Sequence, residues 1–274
     1  MSCALACTTA AHAAVTVFAH SGASDPVDEG WMLSGPGPFT TVGPAVVGSP
    51  PIGVWRIDDP SNGGDSAAVY SRTLLPCHDM IASASGWSLR TCLRVVDAPG
   101  TESIWVGYNT LSRRYDMWFS CDAAGQTTVK LMTTYGACVI GGPTATTGDG
   151  LDCGTAGFHE FDLRFDAGAG SADLFIDGVE VVSNYLGHTI GLSQVPGIGW
   201  GAGSSCGNGS GEFHTVEFVI DADPSADFDG SGMVDGADLG VLLAAWGTAA
   251  CAADLNLDGV VDGADLGLLL SAWG

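Results

Sequence analysis

The stretch "HEFDLRFDAGAGSADLFIDGVEVVSN", His159 to Asn184, decides the fold of the larger part of this chain. Phe161, Leu163 and Phe165 alternate with Glu160, Asp162 and Arg164, the period-two pattern of a strand with one face buried. Asp177-Gly178 stands between "ADLFI" and "VEVV", a strong signal for a two-residue hairpin turn. Asp166 to Gly170 reads as a longer hairpin loop, and Asp122 to Gln126 as another. Outward from there the same grammar recurs in "GWSLRTCLRVVD", "ESIWVGYNT", "RRYDMWFSCD", "QTTVKLMTTY" and "HTVEFVI". Sustained helical periodicity is missing from residues 14–220. Many strands at close spacing predict a β-sandwich.

The order of the pieces narrows the expectation. Phe158 to His188 resembles the strand–turn–strand core of laminin-G-like and concanavalin A-like lectin/glucanase jelly rolls. "IGWGAGSSCGNGSGEFHTVEFVI", Ile198 to Ile220, resembles their closing part, where a Gly-rich loop precedes the last strand. The resemblance covers most of Trp31 to Ile220 and implies a jelly roll. It does not choose a function, because that fold hosts lectins, hydrolases and adhesion modules alike.

Composition excludes some classes. Lys and Arg total 8 against 31 Asp and Glu, a formal net charge of -23, which repels nucleic-acid phosphates. No apolar run is long enough to cross a bilayer as a helix. "MSCALACTTAAHAAV" reads as the tail of a secretory signal over residues 1–13, with Ala11-His12-Ala13 fitting the small-x-small cleavage pattern. Its charged first region is missing, so the true start is expected upstream. Acylation at Cys7 is an alternative, although Ala4 stands where Leu is usual.

Cys77, Cys92, Cys121, Cys138, Cys153, Cys206 and Cys251 follow, none at zinc-ligand or redox-motif spacing. An exported chain is expected to oxidise some of them. Cys138 and Cys153, flanking a Gly/Thr-rich loop, are the first pairing to expect. Cys251 is left over, as a small buried residue.

Candidates for catalysis are thin. "HEFDLRF" resembles the E-x-D-x-x-E strand of glucanases with this fold, with Glu160 and Asp162 as its first two acids. Phe165 occupies the final acid position, so the carboxylate pair a retaining glycosidase needs is incomplete. No G-x-S-x-G elbow occurs, and the histidines are dispersed singly. For ligand binding, "VWRIDDPSNGGD" joins Trp55, Arg56, Asp58 and Asp59 to a flexible-looking loop suited to sugar hydroxyls, a sugar carboxylate or calcium. A surface turn explains that stretch equally well.

The tail is written twice. "DFDGSGMVDGADLGVLLAAWG" starts at Asp227 and "DLNLDGVVDGADLGLLLSAWG" at Asp254, 27 residues later. Counted from each first Asp, Asp227, Asp229, Ser231, Met233, Asp235 and Asp238 fall at positions 1, 3, 5, 7, 9 and 12, as do Asp254, Asn256, Asp258, Val260, Asp262 and Asp265. That is calcium-loop spacing, with Gly232 and Gly259 at the sharp turn and main-chain carbonyls at position 7. From Asp221 to Gly274 there are ten Asp and no Lys, Arg or His, so a divalent cation gives the clustering a physical purpose. After each loop, Leu239, Leu242, Leu243 and Trp246, and then Leu266, Leu269, Leu270 and Trp273, keep helical spacing. The two Leu/Trp faces are expected to meet, and Val234 and Val261 to pair as a short β bridge.

Loop plus one helix, duplicated, resembles the dockerin module. The resemblance covers Asp227 to Gly274 and implies two calcium ions and docking onto a cohesin-like or other surface anchoring protein. The family's recognition positions fall on Gly236-Ala237 and, identically, on Gly263-Ala264. These are smaller and less polar than the family's usual Ser/Thr pair.

The resulting expectation is a mainly β, secreted, non-enzymatic protein. It has a lectin-like jelly roll over 14–220, a linker at 221–226 and a small helical dockerin-like module over 227–274. Extracellular glycan is the expected ligand of the jelly roll. A glycoside hydrolase of the same fold and a structural surface or matrix component are the alternatives.

Overall fold

The computed structural model describes residues 14–274, except 36, 38–39, 61–66, 99–102, 122–125, 137–138, 148–156, 194, 203–206 and 223. Residues 1–13, where a signal segment is expected, and with them Cys7, lie outside the described residues. Thr16–Val219 forms one compact unit and Ile220–Gly274 belongs to a second.

The first unit is a β-sandwich of jelly-roll type. Its chain opens with β1 (Val15–Ser21), β2 (Met32–Ser34), β3 (Thr41–Val47), β4 (Ile52–Asp59) and β5 (Ala68–Thr73). Helix α1 (Pro76–Ser85) follows, then β6 (Trp87–Asp97), β7 (Ile104–Asn109), β8 (Arg114–Cys121) and β9 (Thr127–Leu131). Next come the short β10 (Thr134–Gly136), β11 (Val139–Gly141) and β12 (Thr144–Thr146). The last part holds β13 (His159–Asp166), β14 (Ser171–Ile176), β15 (Val179–Tyr185), β16 (Gly197–Ala202) and β17 (Gly209–Ile220).

One sheet runs β15-β14-β13-β6-β17-β4-β3, with β1 also on β17; the other runs β12-β9-β8-β7-β16-β5-β2. Antiparallel pairing joins β13 to β14 and β6, and β16 to β5 and β7. Asp177 and Gly178 both take positive φ, 53° and 77°, as the two-residue turn between β14 and β15 requires.

Alternation decides what faces inward. Ile104, Val106 and Tyr108 of β7, and Met117 and Phe119 of β8, lie in the core with Leu89, Phe161, Leu163 and Leu174 of the opposite sheet. Large rings bridge the two layers. Trp87 meets Tyr108 at 5.1 Å, Tyr115 at 5.0 Å and Phe165 at 5.5 Å between centroids, and Trp200 meets Phe213 at 4.8 Å.

Two expectations are corrected here. Helix α1 was not anticipated, because its buried residues, His78, Asp79 and Ala82, form no apolar stripe. It is held by polar anchoring instead: Asp79 accepts from the Tyr108 hydroxyl at 2.5 Å and from the Leu111 N–H at 3.1 Å. Cys251 is not left over; it is disulfide-bonded, as are Cys77 and Cys92, whereas Cys121 is free and buried. Cys138, Cys153 and Cys206 lie outside the described residues.

The second unit carries α2 (Gly236–Ala244) and α3 (Gly263–Ser271). Its core joins Ala226, Val234, Leu242, Ala253, Leu255, Val261 and Leu269, with Leu239 and Leu266 packed against it. The Leu/Trp faces therefore meet only in part. Leu243 and Leu270 are each 52% exposed, Trp246 45% and Trp273 47%, because two nine-residue helices touch through only one or two turns.

The expected bridge between Val234 and Val261 is also replaced. The Val261 carbonyl accepts from Gly247 N–H at 2.8 Å, and Val261 N–H donates to the Thr248 carbonyl at 2.9 Å. The Val234 carbonyl accepts from Gly274 N–H at 3.1 Å. Position 8 of each loop is thus tied to the residue that ends the other repeat's helix. Among the described residues no helix is long and apolar enough to cross a membrane.

Candidate functional site

The two tail loops repeat each other's bonds at positions 1, 9 and 12. In the first, Asp227 accepts from Ser231 N–H at 3.0 Å and Gly232 N–H at 2.8 Å. In the second, Asp254 accepts from Asp258 N–H at 3.1 Å and Gly259 N–H at 2.8 Å. Position 12 closes each loop. Asp238 accepts from the N–H groups of Phe228 (2.7 Å), Asp229 (3.3 Å) and Asp235 (2.8 Å), and Asp265 from those of Leu255 (2.7 Å), Asn256 (3.2 Å) and Asp262 (2.8 Å). Gly232 and Gly259 hold φ of 88° and 98°, the sharp turn expected at position 6.

These bonds turn carboxylates toward one another. Carboxylate oxygens of Asp227, Asp229 and Asp238 lie within 4.8 Å of each other, and Asp238, Asp254 and Asp265 are almost wholly buried. The Ser231 hydroxyl, at position 5, donates to the Met233 carbonyl, at position 7, over 3.1 Å. Hard oxygen donors converging without a Lys, Arg or His in the segment fit a hard divalent cation.

The N–H of Asp235, then those of Phe228 and Asp229, holds the Asp238 carboxyl below the usual carboxylate range. Its stabilising contribution is complete above the unfolded value of about 3.9 and is lost as pH falls through the lower folded one.

Position 9 also serves the helix that follows. Asp235 and Asp262 accept from Ala237 N–H and Ala264 N–H at 2.8 Å, so each caps the following helix in a capping box with Asp238 or Asp265. Asp258 accepts from Val260 N–H at 3.0 Å and from the Asn256 amide at 2.9 Å. The "DGAD" spacing carried that cap signal. Gly236, Ala237, Gly263 and Ala264 are exposed on the first turns of α2 and α3.

In the sandwich the structure divides the proposed ligand set. Trp55 is buried and donates to the Tyr70 hydroxyl at 3.0 Å, and Asp59 is buried, so neither presents a face to a ligand. The reason is parity: Trp55, Ile57 and Asp59 point inward while Arg56 and Asp58 point out. Arg56 pairs with Asp58 at 2.9 Å beside a shallow hollow of about 210 Å³. The loop at 61–66 lies outside the described residues.

The glucanase-like strand also resolves. Asp162 is buried and clamped by Arg90 (3.1 Å) and Arg164 (2.7 Å), while Phe165 turns the other way and stacks on Trp87 at an interplanar angle of 4°. The histidines hold structural partners: His20 with Glu29 at 2.7 Å, His159 with Asp177 at 2.6 Å and His188 with Asp116 at 2.9 Å.

Trp105 and Trp118 are partly exposed on the outer face of the second sheet. Period-two reading of β7 and β8 was the signal that could have set them apart from Trp31, Trp87 and Trp200, which are buried.

No protein-family model matches the chain, and no curated protein is similar to it. Solved structures with a similar strand layout include a carbohydrate esterase from the Shiga toxin-encoding bacteriophage phi24B, at 10% identity and TM-score 0.47, covering 76% of this chain and 99% of that one. The CBM2 module of the evolved Dit protein of Lactobacillus casei BL23 phage J-1 is 10% identical, with TM-score 0.44, covering 78% and 99%. The binding domain of botulinum neurotoxin DC, solved with rat synaptotagmin II, is 9% identical with TM-score 0.44. That match covers 76% of this chain and 48% of the neurotoxin chain, so it spans about half the latter's length. All three scores lie below 0.5, and the fold assignment rests on the strand order itself.

Proposed function

We propose that this is a secreted, non-enzymatic modular protein. A glycan-recognising sandwich is held on an extracellular partner by a calcium-loaded C-terminal module of dockerin type. The observation that carries the proposal is the duplicated hydrogen-bond scheme of the two loops, with three carboxylates of the first loop converging within 4.8 Å. Asp227, Asp229, Ser231, Asp235, Asp238 and the Met233 carbonyl would hold one ion. Asp254, Asn256, Asp258, Asp262, Asp265 and the Val260 carbonyl would hold the other. Calcium supplies the positive charge that lets these acids sit together. Exposed Gly236-Ala237 and Gly263-Ala264, beside half-exposed Trp246 and Trp273, offer two equivalent faces to a cohesin-like or other anchoring protein. Disulfides at Cys77, Cys92 and Cys251 suit an oxidising, extracellular setting. Phe165 packed on Trp87, and Asp162 clamped by two arginines, speak for binding rather than hydrolysis.

Co-sedimentation with envelope fragments of the producing cells tests the anchoring role. The full chain should pellet in calcium, remain soluble in excess chelator, and remain soluble in calcium when it carries Asp238→Ala with Asp265→Ala. Equal pelleting in chelator and calcium would contradict it.

A further inference from the structure

The outer face of the seven-stranded sheet carries one aromatic side chain laid over glycines. Gly107 of β7 and Gly199 of β16 stand directly opposite each other in register. A β-carbon at Gly107 would meet the Asp116 carboxylate and lie 2.6 Å from the Trp105 ring, and one at Gly199 would lie 2.7 Å from that ring. The indole therefore occupies the space that side chains would fill. Glycine within a strand weakens it, and often marks a place where something approaches the backbone closely. Here the ring is the close neighbour of Gly199, and shares the space over Gly107 with the Asp116 carboxylate. Trp118, opposite Trp105 in the β7–β8 register, stacks against it at 5.9 Å and 26°, and the Arg114 guanidinium lies 6.0 Å from its centre. The ring is braced by these neighbours and remains partly exposed.

What lies above is a cavity of about 320 Å³. One wall is the segment between β15 and β16, fastened to the sheet by several bonds. Asn109 accepts from Ser193 N–H at 3.1 Å and donates to the Val195 carbonyl at 3.0 Å, and Arg114 donates to the Gly191 carbonyl at 3.2 Å. His188 exchanges backbone bonds with Arg114 and donates through its ring to the buried Asp116. Ser71 and Thr73 add hydroxyls to the lining.

The charge is compensated. Arg114 pairs with Asp116 at 3.1 Å, and Arg72, also in the lining, is committed to the Glu29 carbonyl and the face of Phe18. A flat apolar platform ringed by hydroxyls and one neutralised ion pair matches a molecule with an apolar face and hydroxyl edges. A pyranose ring has that shape. At the small end of ligand pockets, about 300–1,000 Å³, the cavity suits one or two such rings rather than a long chain.

We infer that Trp105, seated on Gly107 and Gly199 and braced by Trp118, is the stacking platform of a site for a neutral oligosaccharide. This rests on the sandwich being glycan-recognising.

The test titrates the full chain calorimetrically with neutral hexose disaccharides and trisaccharides of α and β linkage. The inference predicts binding of at least one of them. Affinity should fall at least about tenfold in Trp105→Ala and stay within about fivefold of wild type in Trp105→Phe, with unchanged near-ultraviolet circular dichroism. If Trp105→Ala does not fold, mass-spectrometric oxidation of the wild type decides: saturating sugar should protect Trp105. Binding that survives Trp105→Ala, or sugar that leaves Trp105 unprotected, overturns this site and leaves glycan recognition standing. Wild-type protein that binds none of the sugars overturns both.

Discussion

In excess chelator, the amides of Phe228, Gly232, Leu255 and Gly259 are expected to lose about a hundredfold or more of their protection against hydrogen exchange. Each donates to an aspartate at position 1 or 12 of its loop, with bonds of 2.7–2.8 Å. Those bonds persist only while the carboxylates stay together. Without a cation, Asp227, Asp229 and Asp238 repel across less than 4.8 Å, and the core around Leu242 and Leu269 is small. Calcium that binds only the folded tail adds about 2.7 kcal/mol per site at a hundred times its Kd, which is the hundredfold change in opening. Each loop is tied to the end of the other repeat's helix, so both sets of amides should lose protection together. Amides of Phe161 and Leu174 in the sandwich should not change. Identical exchange in calcium and chelator would contradict this.

Trp87→Ala is expected to destabilise the sandwich by about 3–5 kcal/mol, the range for emptying a large aromatic site that cannot collapse. The indole is 1% exposed and is surrounded by Tyr108, Tyr115, Phe165 and Phe218, which come from both sheets. Rigid strands on either side limit relaxation, so most of the cavity should persist. Urea denaturation monitored by the sandwich's near-ultraviolet signal measures the change. A loss below about 1 kcal/mol would mean that the two sheets do not depend on this ring cluster.

The sharp turns at Gly232 and Gly259 and the helices after them were legible because their signals are local. The oxygen-ligand spacing and the glycine at position 6 are properties of twelve consecutive residues, and the duplication repeats them 27 residues on. The sandwich was legible as strands for the same reason: β7, β8 and β13 show their period directly. What could not be read was anything set by a partner strand or helix. Trp55 reads as available because its stretch joins Arg56, Asp58 and Asp59 to a loop, yet its parity with Ile57 sends it inward to Tyr70. Trp105 shows its outward parity in the sequence of β7, but that it lies over Gly199 of β16 is set by the neighbouring strand. Helix α1 escaped because its buried face is His78 and Asp79, anchored by Tyr108 from a distant strand. In the tail, helical spacing correctly grouped Leu239, Leu242, Leu243 and Trp246, but could not tell which of them the short contact would cover. Leu242 is buried and Trp246 remains half-exposed.

The central claim is that the duplicated tail loops are two calcium sites. Isothermal titration of the metal-stripped full chain with calcium tests it most directly. The account predicts a stoichiometry of two for the wild type. Asp238→Ala with Asp265→Ala should remove most of the heat, because these buried carboxylates close both loops. A wild-type chain that takes up no calcium, or a double variant that binds two ions as tightly as the wild type, would contradict it.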